Sequence, residues 1–251
     1  MKWESPERRA RKTLRGRLAP YEHVARATHR LVAAAIATCM EGRTGFPGPA
    51  AEVQARLLVH LSHDLRVVQL AASRSYSLQA LGLGANIFEL SNAVAYIGTS
   101  PERARAWETH EETKKSYPPS AERRTAIKAS LLAIVPDIPD IERRIDEQEK
   151  LYETLCMAKH GNPKTLRRFG MAGSGTTIRL YHGPLDTPYI VKQARFALYH
   201  SARMVTLATI VFAKPLLPGA QKVRRQRYQR LERSIVARVV QLSAQMPGRD
   251  S

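Results

Sequence analysis

The densest group of chemically reactive side chains in this sequence falls in residues 151–163, LYETLCMAKHGNP. A thiol, an ammonium, an imidazole and a carboxamide follow one another within it: Cys156, Lys159, His160 and Asn162. Cys156 and His160 are spaced i, i+4, which places them on one face of a helix. Gly161 ends that helix and Pro163 keeps it from restarting. The spacing therefore predicts a candidate site at a helix end.

Cys156 is the first candidate for reactivity in this stretch. Its cationic neighbours Lys159 and His160 favour a thiolate nucleophile, whereas the dipole at a helix C-terminus opposes one. A lone cysteine is more often a small apolar filler. The imidazole and the ammonium are thus better candidates for chemistry than the thiol.

Metal chemistry is the second possibility. His60 with His63, Cys156 with His160, and the separate His110 and Glu89 offer ligand atoms. None of the specific patterns is present: HExxH, paired CxxC and repeated ExxH are all missing. We therefore predict neither a metal site nor a cofactor.

Metal-independent RNA cleavage is the third possibility, because it needs only an imidazole as general base and a cation that holds the phosphate. Arg195 and His200 stand five residues apart in a predicted helix, a spacing that suits such a pair. The sequence holds so many arginines that other Arg–His pairs, such as Arg17 and His23, have a comparable spacing. The pattern alone therefore carries little weight.

Seven or eight helices with short connections predict an all-α multi-helix bundle. The predicted spans are 20–40, 50–72, 76–98, a short helix from Ser100, 121–134, 140–159, 188–213 and 220–245. Residues 1–18 read as a basic, flexible N-terminal arm, and residues 19–251 as a single all-α domain. Residues 171–188 are rich in glycine and predict a lid or a short hairpin.

The helix over residues 76–98 is apolar on nearly all sides, which predicts a central position in the bundle. Glu89 on this helix needs a cationic partner from another helix, because a buried carboxylate without one is costly. Gly82 and Ala85 would let a neighbouring helix approach closely. His110 follows in the short helix after Ser100.

Charge is the most unusual bulk property. The chain has 40 Lys and Arg against 22 Asp and Glu, a net charge of +18, and only eleven of the basic residues are lysine. Arginine matches phosphate geometry and keeps its charge at any working pH. This excess predicts RNA or another polyanion as partner, and a solvated basic surface is the alternative.

The last helix carries much of this positive charge on an amphipathic frame. The residues that we expect to contact nucleic acid are Arg224, Arg225, Arg227 and Arg230. The same pattern is also typical of a helix on an anionic membrane, or of one that is simply solvated.

Compartment signals are few. The N-terminus lacks the apolar segment of a signal peptide. The longest apolar run, Met204–Ala213, is shorter than the roughly 20 residues of a membrane span. Two cysteines are too few for a disulfide framework. We expect a cytoplasmic protein without a membrane span.

Three segments resemble an uncharacterised bacterial family of all-helical proteins with a CMAKHxNP motif, and more distantly the HEPN-like helical bundles: DLRVVQLAASRSYSLQALGLGANIFELSNAVAYIG, WETH and CMAKHGNP. The resemblance spans roughly residues 55–215. It implies a helical bundle in a bacterial cytoplasm, in a defence or mobile-element setting. The positions that match its recurring polar residues are Asp64, Arg66, Glu89, Trp107, His110, Cys156, Lys159, His160 and Asn162. His160 lacks the upstream arginine of a HEPN-type ribonuclease.

These observations lead to two hypotheses. The first is an RNA-associated bacterial protein, as a metal-independent HEPN-like ribonuclease or a defence or toxin component. In it His160 or His200 is the general base, Lys159 or Arg195 contacts phosphate, and Glu89 orients the imidazole. The second is a non-enzymatic helical interaction module or oligomeric scaffold, whose buried polar groups only set helix register.

Overall fold

The computed structural model describes residues 5–110, 118–160, 171–174, 177–180 and 187–245. Within these ranges the protein is an all-α bundle of eight α-helices, as predicted. They are α1 (Pro6–Met40), α2 (Pro49–Ser73), α3 (Ser77–Ile97), α4 (Pro101–Glu108), α5 (Arg123–Ile134), α6 (Ile141–Lys159), α7 (Pro188–Ala213) and α8 (Lys222–Ser243). Two 3₁₀ turns, Ser120–Glu122 and Leu217–Gly219, precede α5 and α8.

The core is built on α3 and α7, which pack against each other and against α2. Phe88 of α3 and Leu198 and Phe212 of α7 are almost fully buried. By length and composition α7 could also cross a membrane, with a mean hydropathy of 1.3 over 18 residues. In this bundle 72% of that stretch is buried inside the protein, which is what a core helix requires.

The predicted N-terminal arm is wrong from Pro6 onward, because α1 begins there. Ser5 caps the helix by accepting a hydrogen bond from the Arg8 N–H at 3.3 Å. Ala10, Leu14 and Leu18 follow at four-residue intervals and are buried. These three residues are separated by arginines in the sequence but share one face of α1. That apolar face packs against the bundle and holds the start of α1 there.

Pro20 also differs from expectation, since it lies inside α1 and not in its first turn. A proline in a helix removes one backbone hydrogen bond and crowds the preceding turn. The helix continues because Leu18 and Tyr21, on either side of the proline, are both buried. Packing therefore outweighs the local cost.

The other helix bounds agree with the prediction to within about two residues, the usual uncertainty of helix ends. Ser100 accepts a hydrogen bond from the Arg103 N–H, and Thr187 accepts one from the Ile190 N–H, each at 3.3 Å. The glycine-rich segment forms the short hairpin, β1 (Met171–Ser174) antiparallel to β2 (Thr177–Leu180).

Candidate functional site

Glu89 is the centre of a polar cluster between α3 and α6. Lys159 Nζ lies 3.1 Å from Oε1 and 3.2 Å from Oε2 of this carboxylate. The Tyr152 hydroxyl donates to Oε1 at 2.6 Å. The prediction that Glu89 finds a cation on another helix is confirmed. Both members of the ion pair are about 30% exposed, at 29% for Glu89 and 31% for Lys159, so the carboxylate is less buried than the sequence suggested.

Tyr152 forms the inner wall of this cluster. Its ring stacks on the Phe88 ring, with 5.1 Å between the two centroids. The guanidinium of Arg123, which belongs to α5, lies 4.8 Å from the centroid of the Tyr152 ring. Burial raises the pKa of the Tyr152 hydroxyl, and its hydrogen bonds to Cys156 and Glu89 raise it further. The phenol therefore acts as a hydrogen-bond donor to Glu89 and not as a base.

A small cavity of about 30 Å³ opens beside this cluster. Its lining residues are Phe88, Glu89, Asn92, Pro118, Ser120, Arg123, Ala126 and Tyr152. A space of this size has room for about one or two water molecules, since one water needs roughly 10–15 Å³. The cavity is far too small for a nucleotide. The contacts of the cluster therefore hold α6 against α3 in this structure.

Glycines allow α6 to lie this close to α3. A Cβ on Gly82 would be 3.4 Å from Lys159 Cα, and one on Gly84 would be 3.1 Å from Leu155 Cδ2. The predicted close approach at Gly82 is thus confirmed. It brings the last turn of α6, and with it Lys159, against the helix that carries Glu89.

The remaining residues predicted for this site are placed differently. His160 caps the C-terminal end of α6 through its backbone N–H, which donates to Cys156 O at 2.9 Å, and its side chain is exposed. Asn162 lies outside the described residues. His110 follows α4, which packs mainly on α2, and its backbone N–H donates to Trp107 O. Of the predicted set, the structure joins Glu89 and Lys159.

Arg195 and His200 do not point the same way along α7. Five residues advance a helix by about 500°, so their side chains diverge by about 140°. Arg195 Nε donates to Arg17 O at 3.2 Å, and its guanidinium lies 5.8 Å from the Tyr21 ring centroid, both on α1. The His200 ring packs against Phe196 and Tyr199 of its own helix. In this structure Arg195 therefore contacts α1 while His200 contacts its own helix, and the pairing of the two around one phosphate stays a prediction.

A second candidate site is an open groove between α1 and α8, which we call the basic groove. Its volume is about 600 Å³. The residues that line it are Arg30, Ala33, Ala34, Ala37, Thr38, Arg224, Arg227, Tyr228 and Leu231. Arginines from both helices thus flank the groove, and the small side chains of Ala33, Ala34, Ala37 and Thr38 line it from α1. Of the four arginines predicted to bind nucleic acid, Arg224 and Arg227 line the groove, whereas Arg225 and Arg230 lie on other faces of α8.

The two helices that form the basic groove are antiparallel. Near one end, Arg224 Nε lies 2.8 Å from Glu41 Oε1, just after the last turn of α1. Near the other end, partial desolvation lowers the pKa of His23 on α1. The charges of Arg238, Arg26 and Arg30 lower it further, which places Arg238 of α8 beside this part of α1.

Buried side chains of α8 hold this helix on α1. Tyr228 and Ile235 are each 1% exposed and stand seven residues apart. The Tyr228 hydroxyl has no hydrogen-bond partner within the described part of the chain, and burial raises its pKa. The ring is therefore an apolar anchor, which leaves the arginines on the neighbouring stripe facing solvent.

No family model, no curated protein and no solved structure matches this chain.

Sequence reasoning missed residues in both sites. Tyr152 and Arg123 complete the Glu89 cluster, and no local pattern relates Arg123 of α5 to the other two. Arg30 completes the basic groove, and a signal for it was present. His23, Arg26 and Arg30 have the i, i+3, i+7 spacing of one helix face. Within the described residues no group of three or more His, Cys, Asp or Glu side chains is arranged to hold a metal ion.

Proposed function

We propose that this protein binds nucleic acid, with RNA as the expected ligand, through the phosphate backbone in the basic groove. The observation that carries the proposal is the pairing of Arg30 on α1 with Arg224 and Arg227 on α8 across one open groove. Arginines in this arrangement contact successive phosphates and release condensed counterions, which is the main source of sequence-independent affinity.

The length of the positive stripe supports this ligand. Arg224 and Arg238 are 14 residues apart on one helix face, which is about 21 Å at 1.5 Å per residue. At about 3.4 Å per phosphate along a duplex strand, that length corresponds to about six nucleotide steps. A small mononucleotide would leave most of the stripe unused.

The charge balance of the groove favours an anion as well. Its lining arginines are Arg30, Arg224 and Arg227, and Arg26 of α1 and Arg238 of α8 lie beyond it on the same two helices. Two carboxylates pair with members of this set, Glu22 with Arg26 at 3.5 Å and Glu41 with Arg224 at 2.8 Å. The stripe keeps a net positive charge, and Arg227, Arg30 and Arg238 are exposed.

The groove is suited to the backbone and not to the bases. Base stacking needs an exposed aromatic ring, whereas Tyr228 is buried and the remaining lining residues are not aromatic. We therefore expect binding with little sequence preference and a strong dependence on salt.

Catalysis is not part of this proposal. A ribonuclease needs a cation beside an imidazole to hold phosphate, whereas Lys159 pairs with Glu89, and Arg195 contacts α1 while His200 contacts its own helix. A bacterial, cytoplasmic setting in RNA metabolism or defence remains a proposal that rests on the family resemblance.

Fluorescence anisotropy with a labelled 20-nucleotide RNA tests the proposal. We expect saturable binding whose affinity falls linearly on a log–log plot against salt. Arg30→Ala with Arg227→Ala should lower the affinity at least tenfold and reduce the salt slope by about two, one unit for each lost phosphate contact. A DNA of the same sequence shows how far the 2′-hydroxyl matters.

Arg105→Ala with Arg143→Ala is the matched control. It removes the same charge from two exposed arginines, 68% and 57% exposed, on α4 and α6. If both double variants lose affinity equally, binding reflects net charge and the groove assignment fails. Absence of RNA binding, combined with a stable oligomer in size-exclusion chromatography with light scattering, would favour the interaction module.

A further inference from the structure

A third feature, separate from the polar cluster and the basic groove, is a cleft of about 740 Å³ where the ends of α3 and α7 meet α4 and α5. Pockets that bind small molecules have volumes of about 300–1,000 Å³ and are lined mostly by apolar side chains with a few polar groups. The apolar lining here comes from Ala95, Ala129, Leu132, Ala133, Val211 and Pro215. The cleft therefore has the size and surface of a ligand site.

The wall of this cleft is held firmly by a buried amide. Gln54 of α2 is 5% exposed, and its Nε2 donates to Val94 O at 2.7 Å. This amide packs directly against the backbone at Gly98, where an added Cβ would collide with Gln54 Nε2. Because α2 locks the end of α3 in this way, the cleft is preformed.

Three cations from different elements also line the cleft: Arg103, Lys128 and Lys214. Lys214 Nζ donates to Ala133 O at 2.7 Å and forms no ion pair within 4.0 Å among the described residues. An ammonium in that position has further N–H donors to offer.

The other two cations each lie near a carboxylate. Lys128 lies 3.5 Å from Glu142, but the same carboxylate is closer to Arg124, at 3.0 Å. Arg103 lies over the Tyr96 ring and 3.8 Å from Glu122. Glu122, Glu142 and Glu232 lie near these cations but not among the lining residues, which include three cations and no carboxylate, so the rim of an apolar cleft is left positive.

We propose that this cleft binds a small organic anion with an apolar body. The apolar part lies on Leu132 and Val211, and the carboxylate or sulfonate end lies at the rim near Lys128 and Lys214. Binding there is independent of nucleic acid in the basic groove, because the two sites share no residue.

The test uses 8-anilinonaphthalene-1-sulfonate, an aromatic body with one sulfonate, as probe. Titration of the full chain by fluorescence and calorimetry should give one saturable site per chain. Ala129→Trp fills the cleft and should abolish that site. Lys128→Met and Lys214→Met keep the side-chain length, and each should weaken binding about tenfold, the usual loss for one charge-assisted hydrogen bond.

Val59→Trp is the control for nonspecific apolar binding. Val59 lies on the outer face of α2 and is 45% exposed. This variant should bind the probe like the wild type. Circular dichroism establishes that each variant is folded, and the two lysine variants retain the test if Ala129→Trp does not fold. Binding that is unsaturable, or unchanged in the lysine variants and in a folded Ala129→Trp, would overturn the proposal.

Discussion

Lys159 Nζ reaches both carboxylate oxygens of Glu89, at 3.1 and 3.2 Å, and so joins the last turn of α6 to the middle of α3. The Tyr152 hydroxyl bonds to the same carboxylate from one side. This relationship makes the two residues a tie between α3 and α6. It also explains why α6, a largely charged helix, ends against the core.

The strength of this tie can be measured with a double-mutant cycle of Glu89→Gln and Lys159→Met. We expect a coupling of about 1 kcal/mol in the free energy of unfolding, at the upper end for partly exposed ion pairs. Urea denaturation provides the measurement. Arg143→Met and Glu147→Gln, an exposed i, i+4 pair at 3.0 Å, should couple by only about 0.3–0.5 kcal/mol. Equal coupling in both cycles would show that the α3–α6 pair has no special role.

Gly98→Ala should destabilise the protein by about 1–3 kcal/mol, the cost of leaving a buried polar group without its partner. The backbone at Gly98 has a φ of −64°, which alanine adopts readily, so the cost arises only from the displaced Gln54 amide. Gly16→Ala in α1 is the control. A Cβ there meets nothing within 4 Å, and the change should stabilise the protein by about 0.5–1 kcal/mol. Thermal unfolding of both variants distinguishes these signs.

Tyr228→Phe should leave the stability unchanged or raise it slightly. The Tyr228 hydroxyl is buried without a partner among the described residues, so its removal loses no hydrogen bond. Tyr228→Ala should cost about 3–5 kcal/mol through the cavity that it leaves. By contrast, Tyr152→Phe removes the bond to Glu89 and should cost about 1 kcal/mol. If Tyr228→Phe lowered the free energy of unfolding by more than 1 kcal/mol, the Tyr228 hydroxyl would have to make a stabilising contact, which would contradict this interpretation.

Acid should destabilise the protein through His29. Its Nδ1 lies 2.9 Å from Ser62 Oγ, and burial, then the charges of Arg66 and His63, lowers its pKa below the ordinary 6.5. The unfolded chain therefore binds this proton more readily. Stability is fully present above about pH 6.5 and is lost as the pH falls toward the folded-state pKa.

Denaturant midpoints between pH 5 and 8 test this dependence. His29→Asn should reduce the slope of stability against pH relative to the wild type. Burial raises the pKa of Asp64 above 3.8, which makes stability change with pH in the opposite direction at lower pH. The test therefore relies on the difference between the wild type and the His29 variant. An identical slope in wild type and His29→Asn would refute the assignment.

RNA should be bound and not cleaved when the purified protein is incubated with it in EDTA. Lys159 and Arg195, the cations expected to hold the phosphate, are held by Glu89 and by Arg17 O. The measurement is a gel of end-labelled RNA, with His160→Ala and His200→Ala beside the wild type. Cleavage that one of these variants abolishes would instead establish the ribonuclease.

Helices were predictable from sequence because their signals are local. The N-cap at Ser100, the nearly all-round apolar surface of α3 and the apolar periodicity of α6 and α7 depend only on neighbours within a few turns. The demand of Glu89 for a cationic partner was equally readable, because the cost of burying a lone carboxylate does not depend on the fold.

The choice of partners was decided by tertiary structure. That Lys159 meets Glu89 depends on how closely Gly82 lets α6 approach, and that Arg195 turns to α1 depends on α1 continuing back to Pro6. The basic groove exists only because α8 lies antiparallel to α1 and adds Arg224 and Arg227 to Arg30. Residues far apart in sequence meet only after the helices have packed. Spacing along the chain therefore determines which residues share a face of a helix, and packing determines which of those faces form a site.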